Sequence, residues 1–408
     1  MKPLGPIPAG FSSVNGELAV QGIAASDLVM RAGDTPCFVY SSEMLRARVA
    51  SLRAAMPSSL AIHYAMKANP FAPVLALMAS LVDGIDIASA GELVLAQAAG
   101  MDPAHVSFAG PGKRDRDLEA AIVAGVTLNL ESEGEADRAF GIGDRIGVQP
   151  RLAVRVNPDF DLRGSGMRMG GGAKPFGIDQ ERVPDLVRHI ISAGAHWRGF
   201  HIFAGSQALD ADSIIETQGK TLDLAAQLAE AVGHSPEHLN LGGGMGIPYF
   251  PGDVPVDIAR VGAALAERFA SLPPVLADTH FAMELGRWLV GEAGVYLTRI
   301  VDKKTSHGEL YLITDGGLHH QLAASGNFGT VVRRNYPVAI ASRFDDAPKQ
   351  EANVVGCLCT PLDRLADKAM LPAADVGDLV AVFCAGAYGA TASPSDFLGH
   401  GKAPEILV

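Results

Sequence analysis

The sequence predicts an α/β protein, a (β/α)8 TIM barrel followed by a β domain. Three observations carry that reading. Eight short apolar segments, each ending in small or polar residues, alternate with helix-like stretches over ~230 residues. After about residue 288 the rhythm changes, and strand-like segments are joined by turns instead of long helices. The chain has 408 residues, 48% hydrophobic and 19% charged, which is enough apolar material for a sizeable core and excludes general disorder.

The barrel strands are expected at Leu60–Met66, Gly84–Ala88, Val106–Ala109, Thr127–Leu130, Leu152–Val156, Gly199–Phe203, Leu239–Leu241 and Phe281–Leu285. Helices are expected between them at Ala90–Ala99, Asp115–Ala124, Val183–Ala193, Asp212–Val232 and Asp257–Ala270. An open doubly wound sheet gives a similar pattern and stands as the alternative. Beyond the barrel, Val290–Val301, Glu309–Thr314, Asn353–Cys359 and Asp378–Ala385 read as strands. The first 35 residues show no good helix: Phe11, Val14, Leu18 and Val20 are interrupted by Asn15-Gly16. They suit an extra strand of the β domain. The expected division is therefore residues 36–287 for the barrel, with 1–35 and 288–408 forming a discontinuous β-sandwich or β-barrel domain.

Charge and cysteine usage narrow the function. The net charge is 33 − 45 = −12, a poor match to nucleic acid or an anionic membrane, although a local basic pocket for a small phosphate is compatible with it. Cys37, Cys357, Cys359 and Cys384 are too few for a disulfide framework. The start of the chain lacks an apolar signal core, and the most apolar stretch, Leu379 to Ala392, is short and interrupted by glycine. A soluble, cytoplasmic protein is expected.

Five motifs carry candidate chemistry. In His63-Tyr64-Ala65-Met66-Lys67-Ala68-Asn69-Pro70, a strand would put His63, Ala65 and Lys67 on one face and Lys67 at its carboxyl end, the active-site end of a barrel. A lysine among apolar neighbours suits covalent amine chemistry; an ordinary surface lysine is the alternative. Leu241-Gly242-Gly243-Gly244-Met245-Gly246 follows the seventh strand, where backbone amides of such barrels close around phosphate. Met283-Glu284-Leu285-Gly286-Arg287 ends the eighth; Glu284 and Arg287 either pair with each other or hold, respectively, a protonated ring nitrogen and an anion. Cys357-Leu358-Cys359 is a possible metal pair or two buried structural thiols. No second Cys or His pair completes a zinc site, His319-His320 is too isolated to make one, and no metal is expected. Glycine-flanked Tyr388 is either a core residue or a phosphate contact. A reactive lysine, a phosphate cradle and a carboxylate for a pyridine nitrogen together form the parts list for pyridoxal 5′-phosphate.

On these motifs the sequence resembles the fold type III pyridoxal-phosphate decarboxylases, the diaminopimelate and ornithine decarboxylase family. The resemblance runs over residues 35 to 405, through Tyr64–Asn69, Ala88–Leu93, Gly205-Ser206-Gln207, Gly242–Gly244, Glu284–Arg287, Cys359–Asp363 and Gly386–Gly389. It implies an alanine-racemase-like barrel plus C-terminal β domain, a homodimer with shared active sites, and decarboxylation of an amino acid or amino-acyl substrate. It implies cofactor contacts by Lys67, Asp86, Phe203, Ser206, Gly243, Gly244, Glu284, Gly286, Arg287 and Tyr388, with Lys67 carrying the cofactor covalently. It further implies substrate contacts by Arg287, Arg333, Arg334, Tyr336, Thr360 and Tyr388, and proton delivery by Cys359 to a neighbouring subunit's site.

Two positions depart from the family pattern. Phe203 stands where a histidine usually stacks on the cofactor ring; a phenyl face stacks but carries no charge. His201, two residues earlier, is placed to compensate in part. Thr360 stands where diaminopimelate decarboxylases carry a glutamate for the substrate's distal ammonium, a contact worth ~1.5–3 kcal/mol. Met167–Gly171, Asp315–His320, Arg334–Pro337, Cys359-Thr360-Pro361 and Phe397–His400 resemble instead a side branch that includes decarboxylases of carrier-protein-tethered glutamate and exosortase-associated decarboxylases. Diaminopimelate decarboxylase proper, an amino-acid racemase, a non-catalytic cofactor-binding protein and a plain phosphate-binding barrel are the competing readings; Glu284 argues against the racemase.

Overall fold

Eight apolar segments become eight parallel strands: β1 (Leu60–Ala65), β2 (Gly84–Ile87), β3 (Val106–Phe108), β4 (Thr127–Leu130), β5 (Arg151–Asn157), β6 (His196–Ile202), β7 (His238–Asn240) and β8 (His280–Leu285). The computed structural model describes residues 1–326 and 334–408 and, at 167–168, the backbone alone. Each strand pairs with the next in sequence, and β8 pairs back onto β1, from Phe281 opposite Leu60 to Leu285 opposite Tyr64. The ring is closed, so the barrel holds and the open sheet does not. Buried residues such as Ile62, Tyr64, Ile85, Leu128, Val154 and Met283 explain why the strand segments are nearly continuous apolar runs: strands of a parallel barrel have no solvated face.

Four of the helices start where short polar side chains precede apolar stretches. Ser89 accepts from the Glu92 amide at the head of Ala90–Ala98, and Ser132 from Glu135 at the head of Glu133–Ile146. Asp210 accepts from Asp212 and Ser213 before Ala211–Val232, and Asp257 from Arg260 before Ile258–Ala270. Each cap satisfies backbone donors that the first helical turn leaves unpaired.

The chain divides into two compact units, one of residues 49–246 and 255–286, the other of 1–48, 247–254 and 287–408. In the second, an eight-stranded sheet runs in the order Val338–Ile340, Leu379–Phe383, Gly294–Ser306, Glu309–Thr314, Gln350–Val355, Arg364–Leu371. Gly294–Ser306 also pairs antiparallel with Cys37–Tyr40, which in turn carries Glu405–Leu407. The four apolar residues Cys37–Tyr40 thus belong to this sheet, although they fall inside the 36–287 segment expected to be barrel.

Three other expectations change. Asn15-Gly16 does not merely interrupt a strand: both residues have positive φ (53° and 84°) and close a hairpin between Phe11–Val14 and Glu17–Val20. That hairpin extends into a separate three-stranded sheet with Ile23–Ala24. The first 35 residues do contain a helix, Ala25–Ala32, because Ala25, Leu28 and Val29 share a face that packs on Val295, Leu297, Ala381 and Phe383. The strand expected to reach Cys359 stops at Val355, and Cys357–Thr360 form a bend. No helix among the described residues is long and apolar enough to cross a membrane.

Candidate active site

Lys67 sits one turn beyond β1. The strand ends at Ala65, and Met66–Ala68 form a single tight turn, so Lys67 leaves the face it would have shared with His63 and Ala65. Local bonds fix that turn. The buried Tyr64 hydroxyl donates to the Asn69 carbonyl at 2.8 Å, the Asn69 amide donates to the Met66 carbonyl at 3.0 Å, and the Asn69 side chain accepts from the Phe71 amide at 3.1 Å. The amine of Lys67 is thereby held 3.7 Å from Oε1 of Glu284, near the end of β8.

Glu284 is 7% exposed and has a second partner: Nε2 of the buried His201 lies 3.1 Å from its Oε2. Burial alone raises a carboxyl pKa, but Lys67 and His201 overcome that penalty, and Glu284 is held down at about 2. It is therefore an anion at any physiological pH. On β2, Asp86 lies 3.4 Å from Nδ1 of His63. Burial opposes the imidazolium, yet Asp86, with Glu284 and Asp83, raises the His63 pKa above its ordinary value.

The loop after β7 is built for close approach. A Cβ on Gly243 would lie 1.9 Å from the Glu284 carbonyl oxygen, and one on Gly244 would lie 2.6 Å from Leu162 and 2.8 Å from the Gly205 carbonyl. The loop is laced to the one after β6, which carries Ser206: the Ala208 amide donates to the Gly244 carbonyl and the Gly246 amide to the Ala208 carbonyl. Phe203 rests on Gly242, where an added Cβ would meet its ring at 3.1 Å. Gly286 approaches the Lys67 turn closely enough that a Cβ there would be 3.0 Å from Ala68. Gly243→Ala is accordingly expected to destabilise the protein by ~1–3 kcal/mol or more, because a backbone oxygen rather than a flexible side chain must move. Denaturant unfolding of the variant beside wild type checks this.

In the unit of residues 1–48, 247–254 and 287–408, Arg287 donates to the Tyr249 hydroxyl at 2.8 Å, and its guanidinium lies 4.8 Å from the Tyr388 ring centre. The Tyr336 and Tyr249 ring centres are 4.6 Å apart. Burial works against the Arg287 charge, but Tyr249, Tyr388 and Tyr336 raise its pKa above the ordinary arginine value. Arg334 stacks on Phe250 at 3.8 Å, and Arg333 lies outside the described residues. Cys359 is exposed and Cys357 half-buried, so the pair is not two buried structural thiols. Their bend is tied by Asp363, whose carboxylate accepts from the amides of Leu318 at 2.7 Å and Leu358 at 2.9 Å.

Sequence reasoning missed one group inside the barrel. Arg155 of β5 donates to Glu131 at 2.7 Å, and Glu131 also accepts from the amides of Gly110 and Gly177. Burial disfavours the Glu131 anion, but Arg155 and the Gly177 amide keep its pKa below the ordinary range. The available signal was an arginine in the apolar run Leu152-Ala153-Val154-Arg155-Val156, since a buried charge in a barrel strand needs a partner.

The barrel groups form a donor set that fits pyridoxal 5′-phosphate: a primary amine for its aldehyde, a carboxylate ionised at physiological pH for its pyridinium nitrogen, and a glycine loop laced to a serine loop for its phosphate. The comparisons agree. Residues 42–291 match the family model described as pyridoxal-dependent decarboxylase, pyridoxal binding domain. The chain is 35% identical to an L-glutamyl-[BtrI acyl-carrier protein] decarboxylase of Niallia circulans, over 92% of this chain and 89% of that one. It is 32% identical to a diaminopimelate decarboxylase of Archaeoglobus fulgidus, over 98% and 93%. Among solved structures, diaminopimelate decarboxylase of Helicobacter pylori complexed with L-lysine superposes with a TM-score of 0.83 at 25% identity, covering 94% of each chain. With that donor set in a closed barrel and these relatives along its length, the chain belongs to the pyridoxal-dependent decarboxylases and is a pyridoxal-phosphate-dependent amino-acid carboxy-lyase.

Proposed function

We propose that the substrate is a glutamyl group tethered to a carrier protein, or an amino acid close to it, rather than diaminopimelate. The observation that carries this is Thr360, a neutral residue where a distal ammonium would call for a carboxylate. The name of the 35%-identical Niallia relative supports the same reading.

Pyridoxal phosphate, when bound, supplies the sink for the electron pair left behind as carbon dioxide departs. Lys67 holds the cofactor through Nζ. Glu284 keeps a proton on the ring nitrogen, while His201 Nε2 fixes the direction of Glu284 Oε2. Phe203 stacks on the ring, and Asp86 and Gly286 shape the space around it. Ser206, Gly243, Gly244 and Tyr388 grip the phosphate. Arg287, with Arg333 or Arg334 and Tyr336, orients the substrate carboxylate, and Thr360 meets the substrate's far end. Cys359 delivers a proton from Sγ to the α-carbon across a homodimer interface. Its exposure supports a role toward a partner subunit. A cytoplasmic setting is supported by four cysteines that are all free thiols.

Carbon dioxide release, compared across diaminopimelate, lysine, ornithine, arginine, free glutamate and glutamyl-carrier protein, tests the assignment. Glutamyl-carrier protein is expected to lead, with diaminopimelate near background; preference for diaminopimelate would defeat it. Thr360→Glu is expected to move the ratio of kcat/KM toward diaminopimelate by roughly 10–100-fold, the equivalent of one charge-assisted contact.

A further inference from the structure

Three metal-binding side chains, distant in sequence, meet beside the Cys359 bend. His319 is fully buried, and neither of its ring nitrogens has a hydrogen-bond partner among the described residues. Its ring centre lies 4.5 Å from that of His400. The His400 Nε2 lies 3.8 Å from Sγ of Cys357. One ligand atom from each of His319, Cys357 and His400 falls within 4.8 Å of the other two. His320 packs against His319, with ring centres 3.9 Å apart, but both its nitrogens are engaged: Nδ1 meets the Tyr296 hydroxyl at 3.1 Å and Nε2 the Gly401 carbonyl at 2.9 Å.

A buried imidazole with two unmatched nitrogens is costly, and buried polar atoms are nearly always paired. A metal ion bound to one of those nitrogens removes part of that cost. We propose that His319, Cys357 and His400 form a binding site for a zinc-class divalent ion, with a fourth position open to water or another ligand. Two imidazole nitrogens and a thiolate are borderline-to-soft donors, which favour zinc over calcium or magnesium. Tetrahedral zinc, with bonds of ~2.0–2.1 Å to nitrogen and ~2.3 Å to sulfur, sets its ligand atoms roughly 3.3–3.7 Å apart, so the trio, within 4.8 Å of one another, needs to contract by about 1.5 Å at most. Binding releases the Cys357 thiol proton, which now points to the Asp315 carbonyl at 3.4 Å. The exposed His400 gives the ion a way in. Because Cys357 is two residues before Cys359, the ion fixes the bend that carries Cys359 and Thr360. The site stands independently of the substrate proposed above.

The test uses the untagged full-length holoprotein, dialysed against chelator and titrated with Co²⁺. Visible d–d absorption of tetrahedral cobalt is expected to saturate at one equivalent per chain and to be displaced by Zn²⁺. Cys357→Ser and His400→Ala are expected to weaken binding by more than the ~10–100-fold that loss of an outer-sphere partner causes. Cys359→Ser is expected to keep the site, and Zn²⁺ is expected to raise the Tm of wild type but not of Cys357→Ser. Circular dichroism identifies any variant that fails to fold; the exposed His400→Ala then decides alone. A titration without a one-equivalent endpoint, a signal unchanged in His400→Ala, or one lost in Cys359→Ser would overturn the proposal. No readout depends on turnover, so failure here is distinct from failure of the substrate assignment.

Discussion

Lys67→Ala is expected to lower kcat for decarboxylation by roughly 10³-fold or more, about 4 kcal/mol of lost transition-state stabilisation. The size follows from chemistry: the variant removes the amine placed 3.7 Å from Glu284, and with it the covalent hold on the cofactor proposed for that amine. Folding should survive, because the Lys67 side chain is 51% exposed and the turn around it is fixed by Tyr64 and Asn69. The Glu284 carboxyl should change as well. Lys67 is the strongest of the groups holding its pKa down, so the variant's Glu284 should titrate at higher pH. Carbon dioxide release together with denaturant unfolding separates the catalytic effect from the structural one. Turnover at the wild-type rate would remove Lys67 from the mechanism.

Glu284→Gln should come next in size, with kcat down roughly 10²–10³-fold, the usual consequence of losing one preorganised electrostatic group. Glutamine keeps the shape but cannot hold a proton on the ring nitrogen. The same variant reports on stability. The folded-state pKa of Glu284, about 2, lies below its ordinary value of 4.5. The ionised carboxylate therefore stabilises the fold fully above pH 4.5, and that contribution is lost as pH falls through the window toward 2. The stability difference between wild type and Glu284→Gln should consequently shift against wild type on going from pH 6 to pH 3. A difference that does not change with pH would show that Lys67 and His201 do not hold the anion as described.

The barrel was legible because its strands are buried on both faces and four of its helices open with Ser or Asp caps, both local features of sequence. The placing of Lys67 and of the Gly243 loop beside Glu284 was legible because each lies in a short motif at a strand end. Three kinds of feature were not. The helix Ala25–Ala32 has a clear apolar face, but it is short and depends on tertiary partners such as Val295 and Phe383, which no local window contains. The strand Arg364–Leu371 carries Asp367 and Lys368 in its middle, and their partners, among them Asn335, Arg364 and Glu309, are supplied by other parts of the chain or by a close neighbour. The pairing of His201 with Glu284 spans 83 residues, and the meeting of His319, Cys357 and His400 also requires the fold. Local pattern announces the elements, whereas the partners of buried polar groups are set by topology.

We propose that one amine, on the turn after β1, carries the cofactor. Borohydride reduction of the holoenzyme, followed by proteolysis and peptide mass spectrometry, measures it directly. A single pyridoxyl adduct is predicted on Lys67. An adduct on another lysine, or none on a protein saturated with pyridoxal phosphate, would contradict the account.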